Sequence, residues 1–174
     1  MLTSSAQAAF HLWTVRELYT NLDGTQQFIE LFTTSGTEAA IGGKQIQVTD
    51  QAGTTTHTFT IPSNVSGSTA NHAFLIATPG LQVAGTTPDL ATLPNNFLFA
   101  AGGTITFFGS NGGAYTALPT NGTLSRVFPG NTNQVASPQN FAGQAGQVVP
   151  EPTTWALLGI GGIGCCFLMR RRAA

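Results

Sequence analysis

The chain has 174 residues, of which only 7% are charged, and its formal net charge is −1. An average soluble protein is about 25% charged, so this composition is typical of an exported protein more than of a cytoplasmic enzyme. Residues 1–149 contain six acidic and three basic side chains, which excludes the basic stripe that a nucleic-acid partner requires. Both cysteines, Cys165 and Cys166, lie near the C-terminus, so the fold of the preceding residues depends on packing rather than on disulfides.

The N-terminus contains the tripeptide Ala6-Gln7-Ala8, which has the small-x-small pattern of a signal-peptidase site. A basic n-region and a long apolar h-region do not precede it in the sequence. We therefore interpret residues 1–9 as the remnant of a signal-peptide cleavage region or as a disordered N-terminus. We expect the true start of the protein to lie upstream of Met1.

Short segments with alternating apolar and polar residues follow between residues 10 and 128. The strands predicted from this pattern are residues 10–21, 27–34, 45–49, 56–61, 74–78, 97–100 and 104–109. Turn residues separate the strands, including Asp23-Gly24 after the first strand and Gly112-Gly113 after the last. The pattern predicts an all-β domain over residues 10–128, an antiparallel β-sandwich of immunoglobulin-like type.

The order of these segments resembles that of lamin-tail-type domains, which are small immunoglobulin-like sandwiches. The resemblance lies in VRELYTN followed by QFIELFTT, then a strand pair that ends in FTIPSN, and a later AFLIAT. It covers residues 10 to about 110. In place of the Leu-x-Gly-Trp segment of that family, this chain has AAIGGKQIQV, which contains no Trp. The resemblance implies an interaction module rather than a catalyst.

Catalytic motifs are missing from the sequence: it has no Gly-x-Ser-x-Gly elbow, no His-Glu-x-x-His segment and no phosphate-binding glycine loop. Glu17 and Glu30 fall on adjacent strands of a predicted hairpin, where two carboxyl groups can approach each other as in a glycosidase. Strand glutamates more commonly face solvent or pair with a base, here Arg16 or Lys44. We therefore predict no catalytic residues, no enzyme activity and no cofactor.

Asn21, Asp23, Gly24 and Glu30 match positions 3, 5, 6 and 12 of a calcium-binding loop. Position 1 is Tyr19, which cannot replace the required acid, and Glu30 falls in a predicted strand instead of a helix. We interpret the segment as hairpin-turn chemistry, with Asn21, Asp23 and Glu30 as the only candidate metal ligands.

Three histidines are also present. His11 and His57 lie in predicted strands and His72 in a predicted loop, and nothing in the sequence brings them together into a metal site. We predict that they are surface or half-buried hydrogen-bonding side chains. Residues 129–148 have few apolar anchors and are predicted to form a flexible linker.

Residues 149–174 differ from the preceding sequence. The 17 residues from Thr153 to Met169 carry no charge and are apolar on all sides, which predicts a single transmembrane helix about 25 Å long. Its residues are Trp155, Ala156, Leu157, Leu158, Gly159, Ile160, Gly161, Gly162, Ile163, Gly164, Cys165, Cys166, Phe167, Leu168 and Met169. The basic cluster Arg170, Arg171 and Arg172 is the predicted cytoplasmic anchor, so residues 1–149 are translocated.

The order Val149-Pro150-Glu151-Pro152, then an apolar run, then a terminal arginine cluster resembles the PEP-CTERM sorting signal of Gram-negative bacteria. The resemblance implies export, transient anchoring in the inner membrane, and recognition and cleavage by an exosortase near Pro-Glu-Pro. It also implies delivery to the cell surface or the extracellular space.

These observations predict a non-catalytic cell-surface or extracellular-matrix protein associated with exopolysaccharide and biofilm. Its predicted partners are exosortase, the inner membrane, exopolysaccharide and other copies of the chain, and not nucleic acid. The alternative is a secreted carbohydrate-binding or carbohydrate-active protein. Such a protein stacks sugars on exposed Trp or Tyr rings, and residues 1–149 offer only Trp13, Tyr19 and Tyr115.

Overall fold

A computed structural model describes residues 11–108 and 111–149, and these residues form eleven strands without an α-helix. The strands are β1 (Thr14–Thr20), β2 (Gln27–Thr33), β3 (Gln45–Asp50), β4 (Thr56–Thr60), β5 (His72–Ala77), β6 (Val83–Ala84), β7 (Gly103–Phe107), β8 (Asn111–Tyr115), β9 (Leu124–Val127), β10 (Thr132–Val135) and β11 (Gln147–Val148).

The strands form two main antiparallel sheets. One sheet has five strands in the order β10-β9-β1-β2-β5, and the other has four strands in the order β4-β3-β7-β8. A short antiparallel ribbon of β6 and β11 accompanies them. The prediction of an all-β fold with antiparallel sheets is confirmed for the described residues.

The two sheets share one hydrophobic core. Alternate residues of β2 and β5, such as Ile29 and Ile76, contact the same buried cluster as Val48 of β3 and Ile105 of β7. Trp13 precedes β1 and is fully buried in this core. Two sheets packed on a common core are consistent with the predicted immunoglobulin-like sandwich.

A β-bulge in β1 determines which side chains leave the core. The register of β1 against β2 shifts between Val15 and Glu17, so that Arg16 is the extra residue. Val15 and Leu18 therefore both point into the core, whereas Glu17 lies on the outer face of the five-stranded sheet. The bulge also places Glu17 directly opposite Glu30 of β2.

The strand predicted at residues 97–100 is wrong, because these residues form a loop. Phe97 and Leu98 are buried, as their apolar character suggested, but the backbone of Leu98 pairs with a side chain instead of a strand. Gln27 Oε1 accepts the Leu98 N–H and Gln27 Nε2 donates to the Leu98 carbonyl, both at 3.0 Å. The buried Gln27 amide thus makes the hydrogen bonds to the Leu98 backbone that a neighbouring strand would otherwise make.

Gly112 and Gly113 were predicted as a turn, but they lie in the middle of β8. A Cβ atom on Gly112 would lie 1.9 Å from the Ile105 carbonyl oxygen of the adjacent strand. Gly112 therefore permits the close approach of β8 to β7 and does not reverse the chain.

The prediction of a flexible linker at residues 129–148 is wrong. The segment contains β10, which pairs with β9, and β11, which pairs with β6. Ala136 and Val148 are buried in a second hydrophobic cluster with residues of the outer face of β1, β2 and β5. The apolar side chains on this face, Tyr19, Phe28 and Leu75, need a cover, which the sequence of the segment alone did not reveal. The folded domain therefore extends to residue 149.

Candidate functional site

Residues 136–149, which we call the C-terminal strap, cover the outer face of the five-stranded sheet. Three of its backbone N–H groups, at Ser137, Gln139 and Phe141, each donate a hydrogen bond to a carboxylate. Every second amide of an extended segment points to the same side, so one side of the strap meets a row of acidic side chains. These acids are Glu17, Glu30 and Asp89.

Glu17 is only 2% exposed and lies under the strap. Its Oε1 accepts hydrogen bonds from Ser125 Oγ at 2.5 Å and from the Ser137 amide at 3.1 Å. Burial raises the pKa of Glu17 above its ordinary value, and these two hydrogen bonds and the charge of Arg16 oppose that rise. Glu17 therefore connects β1, β9 and the strap.

Glu30 is fully buried beside it. Its Oε1 forms an ion pair with Arg16 Nε, and its Oε2 accepts the Gln139 amide at 2.6 Å. The predicted pairing of a strand glutamate with Arg16 is confirmed. Burial raises the pKa of Glu30, Arg16 opposes that rise by hydrogen bond and by charge, and the neighbouring Glu17 carboxylate adds to it.

Asp89 holds the middle of the strap, at Phe141. Its Oδ2 accepts the amides of Leu75 in β5 at 2.8 Å and of Phe141 at 2.9 Å. Burial raises the pKa of Asp89 despite these backbone hydrogen bonds. The Phe141 carbonyl and Nδ1 of His72 lie 2.5 Å apart, so the same turn of the strap is fixed from a second side.

The adjacent glutamates have the proximity that a glycosidase pair needs, but their oxygens are engaged in binding the fold. Glu17 and Glu30 are 2% and 0% exposed, so both side chains are shielded from solvent. A glycosidic bond must lie between two such carboxyl groups with room for a water molecule or a covalent intermediate. In this arrangement the pair holds the strap.

The structure does not bring the candidate calcium ligands together. Asn21 Oδ1 accepts the Gln26 amide at 3.0 Å and its Nδ2 donates to Thr25 Oγ1, so this side chain closes the β1–β2 hairpin. Asp23 is exposed at the hairpin, whereas Glu30 is buried in the middle of β2 with Arg16. Residues 11–108 and 111–149 contain no group of three or more His, Cys, Asp and Glu side chains that could hold a metal ion.

The histidines have the hydrogen-bonding roles predicted for them at two positions. His57 Nδ1 lies 2.9 Å from the Phe97 carbonyl, and its ring stacks on Phe99 with centroids 4.6 Å apart. His72 is in β5 rather than in a loop, and contacts the strap at Phe141. His11 lies in a turn before β1 instead of in a strand, and its carbonyl accepts a hydrogen bond from Asn111.

The strap ends where the predicted sorting signal begins. Val148 is buried in β11, and the Val149 amide donates to the Gln82 carbonyl at 3.0 Å. The predicted motif residues Pro150, Glu151 and Pro152, the transmembrane segment and the arginine cluster lie outside the described residues. Within the ranges 11–108 and 111–149, no helix has the length and apolar character needed to cross a membrane.

These features define an all-β domain whose last strand leads directly into a C-terminal signal segment. The family model of the PEP-CTERM protein-sorting motif matches residues 148–172. The chain therefore carries a PEP-CTERM motif, which implies an exported protein that is sorted with exosortase as its processing partner. No curated protein and no solved structure matches the chain.

Sequence reasoning missed the strap and its three carboxylate contacts. The acidic residues were visible in the sequence, but their partners are backbone N–H groups. Every residue except proline carries one, so no sequence pattern reveals them. The apolar residues Phe141 and Val148 were the available signal, and they are too widely spaced to indicate a strand.

Proposed function

We propose that this protein is an exported, non-catalytic component of the cell surface or extracellular matrix. In this proposal the C-terminal signal anchors it transiently in the inner membrane and exosortase then processes it near Pro150-Glu151-Pro152. The observation that carries the proposal is the PEP-CTERM motif at residues 148–172, immediately behind a folded domain that ends at residue 149. The mature domain then associates with exopolysaccharide in a biofilm.

The positions of the acidic side chains support the proposal that the protein is not a catalyst. The two glutamates that offered a catalytic pair are buried and hold the strap. The low charge of the chain also favours association, because few like charges repel neighbouring copies or a matrix polymer.

The sorting step is tested in a bacterial host that has an exosortase and in an isogenic strain lacking it. The full-length chain is expressed behind an added signal peptide and tagged within the exposed loop at residues 51–54. It is followed by fractionation and by mass spectrometry of its C-terminus. We expect a shortened chain at the surface or in the medium of the first strain, and full-length chain in the membrane fraction of the second.

A variant with Pro150, Glu151 and Pro152 all changed to Ala should behave like wild type in the strain without exosortase. Pro62→Ala, which also removes an exposed proline, is the matched control and should be processed normally. Full-length wild-type chain confined to the cytosol of both strains would contradict the proposal.

A further inference from the structure

The outer face of the four-stranded sheet carries a regular set of uncharged polar side chains. On β3 the outward residues are Gln45, Gln47 and Thr49, and on the strands to either side they are threonines. Gln45 pairs with Thr60, while Gln47 pairs with Thr58 on one side and with Thr106 on the other. We call this set, together with Thr104, the threonine–glutamine face.

The direction of this face follows from strand alternation. Ile46, Val48 and Ile105 are fully buried on the opposite side of the same strands, so the residues between them must point outward. Along a strand the outward positions repeat at about 6.6 to 6.8 Å, and adjacent strands lie about 4.8 Å apart. The result is a flat array of hydroxyl and amide groups with regular spacing.

The chemistry of the face selects a neutral ligand rich in hydroxyl groups. Threonine hydroxyls and glutamine amides both donate and accept hydrogen bonds, as sugar hydroxyls do. None of the side chains in the face carries a charge, so the face itself offers no ionic partner to a charged polymer; Lys44 lies at its border, over the Phe108 ring. Each threonine also presents a methyl group, which suits the mixed C–H and O–H surface of a sugar ring.

An exposed aromatic ring borders the face. Phe108 follows β7, is 48% exposed, and has a backbone φ of +50°, which is uncommon for a residue other than glycine. Its amide donates to the Gln45 carbonyl at 3.0 Å, which fixes the residue beside β3. Phe108, Gly43, Gln45 and Gln47 line an open recess of about 380 Å³.

The exposed phenyl ring and the strained backbone conformation of Phe108 both lower the stability of the fold. We therefore expect the ring to have a role in binding at this position. A few polar groups beside an aromatic ring are a common arrangement in ligand sites. Lys44 Nζ lies 4.8 Å from the centre of the ring and positions it from one side.

We infer that the threonine–glutamine face and Phe108 together bind a neutral polysaccharide. One sugar ring packs on Phe108 in the recess, and the following sugars lie across Gln47, Thr58 and Thr106. A second copy of the chain is the other occupant to consider, but interfaces between stably paired copies are more apolar than this face. Polysaccharide binding at this face rests on the proposed surface function for its biological setting, and it adds the class of ligand.

Binding is measured with the purified full-length chain in a zwitterionic detergent, because a sugar-based detergent would compete. The probes are suspensions of cellulose, curdlan and chitin, with calcium-alginate beads as an anionic comparison, and depletion isotherms give the dissociation constant. The variants are Phe108→Ala, Phe108→Tyr and Thr58→Val, and Thr132→Val on the exposed strand β10 is the matched control. Export does not enter this assay, so failure of the proposed sorting would leave its result unchanged.

We expect binding to at least one neutral polymer that persists at high salt. Phe108→Ala should weaken it about tenfold, and Thr58→Val about threefold, while Phe108→Tyr and Thr132→Val retain it. The Thr58 and Phe108→Tyr variants keep the test decisive if Phe108→Ala does not fold.

Three results would overturn the inference. The first is retention by none of the neutral polymers, and the second is equal binding by Phe108→Ala, Thr58→Val and wild type. The third is sedimentation of the wild-type chain as a concentration-dependent dimer that Thr58→Val dissociates, since the face would then be an interface between copies.

Discussion

Removal of the Glu30 carboxylate should loosen the C-terminal strap. Glu30→Ala leaves the partly buried Gln139 amide without its acceptor, which costs about 1–3 kcal/mol in unfolding free energy. The lost ion pair adds less, about 0.5–1 kcal/mol, because the Arg16 side chain is 33% exposed and can be hydrated. Relief from burying a charged group offsets part of this loss, so we expect a net destabilisation of about 1–3 kcal/mol.

Glu30→Gln separates the hydrogen bond from the charge. The glutamine keeps one carbonyl oxygen for the Gln139 amide and removes the buried charge, so we expect a loss below about 1 kcal/mol. Gln147→Ala, at an exposed strap position, is the control and should change stability by less than about 0.5 kcal/mol.

The assay is urea unfolding followed by tryptophan fluorescence in a chain that ends at residue 149. The protein has two tryptophans, and this chain keeps only Trp13, which is fully buried in the core. Hydrogen exchange in the same samples should show faster exchange of the Gln139 amide in Glu30→Ala. A stability of Glu30→Ala equal to or above that of Glu30→Gln would refute the role of Glu30 as an acceptor for the strap.

Three further predictions use the same chain. Burial raises the pKa of Glu17, Glu30 and Asp89, so the folded state binds their protons more tightly than the unfolded state. This proton binding stabilises the folded state at low pH, and the stabilisation is lost as the pH rises through the raised pKa values. The urea midpoint should therefore be higher at pH 5 than at pH 7, with a smaller difference in Glu17→Gln, and a lower midpoint at pH 5 would contradict this sign. Gly112→Ala should lose about 3 kcal/mol in unfolding free energy because its Cβ meets the Ile105 carbonyl oxygen at 1.9 Å. Gly113→Ala, whose Cβ would lie 3.9 Å from Phe128, should be nearly neutral in thermal unfolding. Burial raises the pKa of Tyr115 to about 12, so Tyr115→Phe should remove a high-pH step from the tyrosinate absorbance titration. The variant should also lose about 1 kcal/mol in unfolding free energy, because the Phe99 amide loses its acceptor. An unchanged titration would argue against burial of Tyr115.

The alternation of apolar and polar residues predicted the central strands well, because each of these strands buries one face. Ile46 and Val48 point into the core while Gln45 and Gln47 face outward, and this period of two is visible in the sequence. The same rule failed at residues 97–100, where Phe97 and Leu98 are buried from a loop. Burial alone does not distinguish a strand from a loop whose backbone is satisfied by Gln27.

The strap could not be predicted for a related reason. Its stability depends on acceptors that lie far away in sequence, since Glu17 and Glu30 are more than a hundred residues from the amides that they bind. The bulge at Arg16 was equally hidden, although it sets the face on which Glu17 lies. The PEP-CTERM signal was the opposite case, because its motif, apolar run and arginine cluster are contiguous in the chain.

The overlap between the fold and the sorting signal limits where processing can occur. Val148 is both the last residue of β11 and the first residue matched by the PEP-CTERM motif. A cut after Val149 leaves the strap complete, and Tyr19 and Phe28 stay covered. A cut before Gln147 would remove β11 and Val148 from this cluster and expose apolar surface on a protein destined for export. In the proposed function, processing at Pro150-Glu151-Pro152 or beyond therefore leaves the domain folded up to Val149.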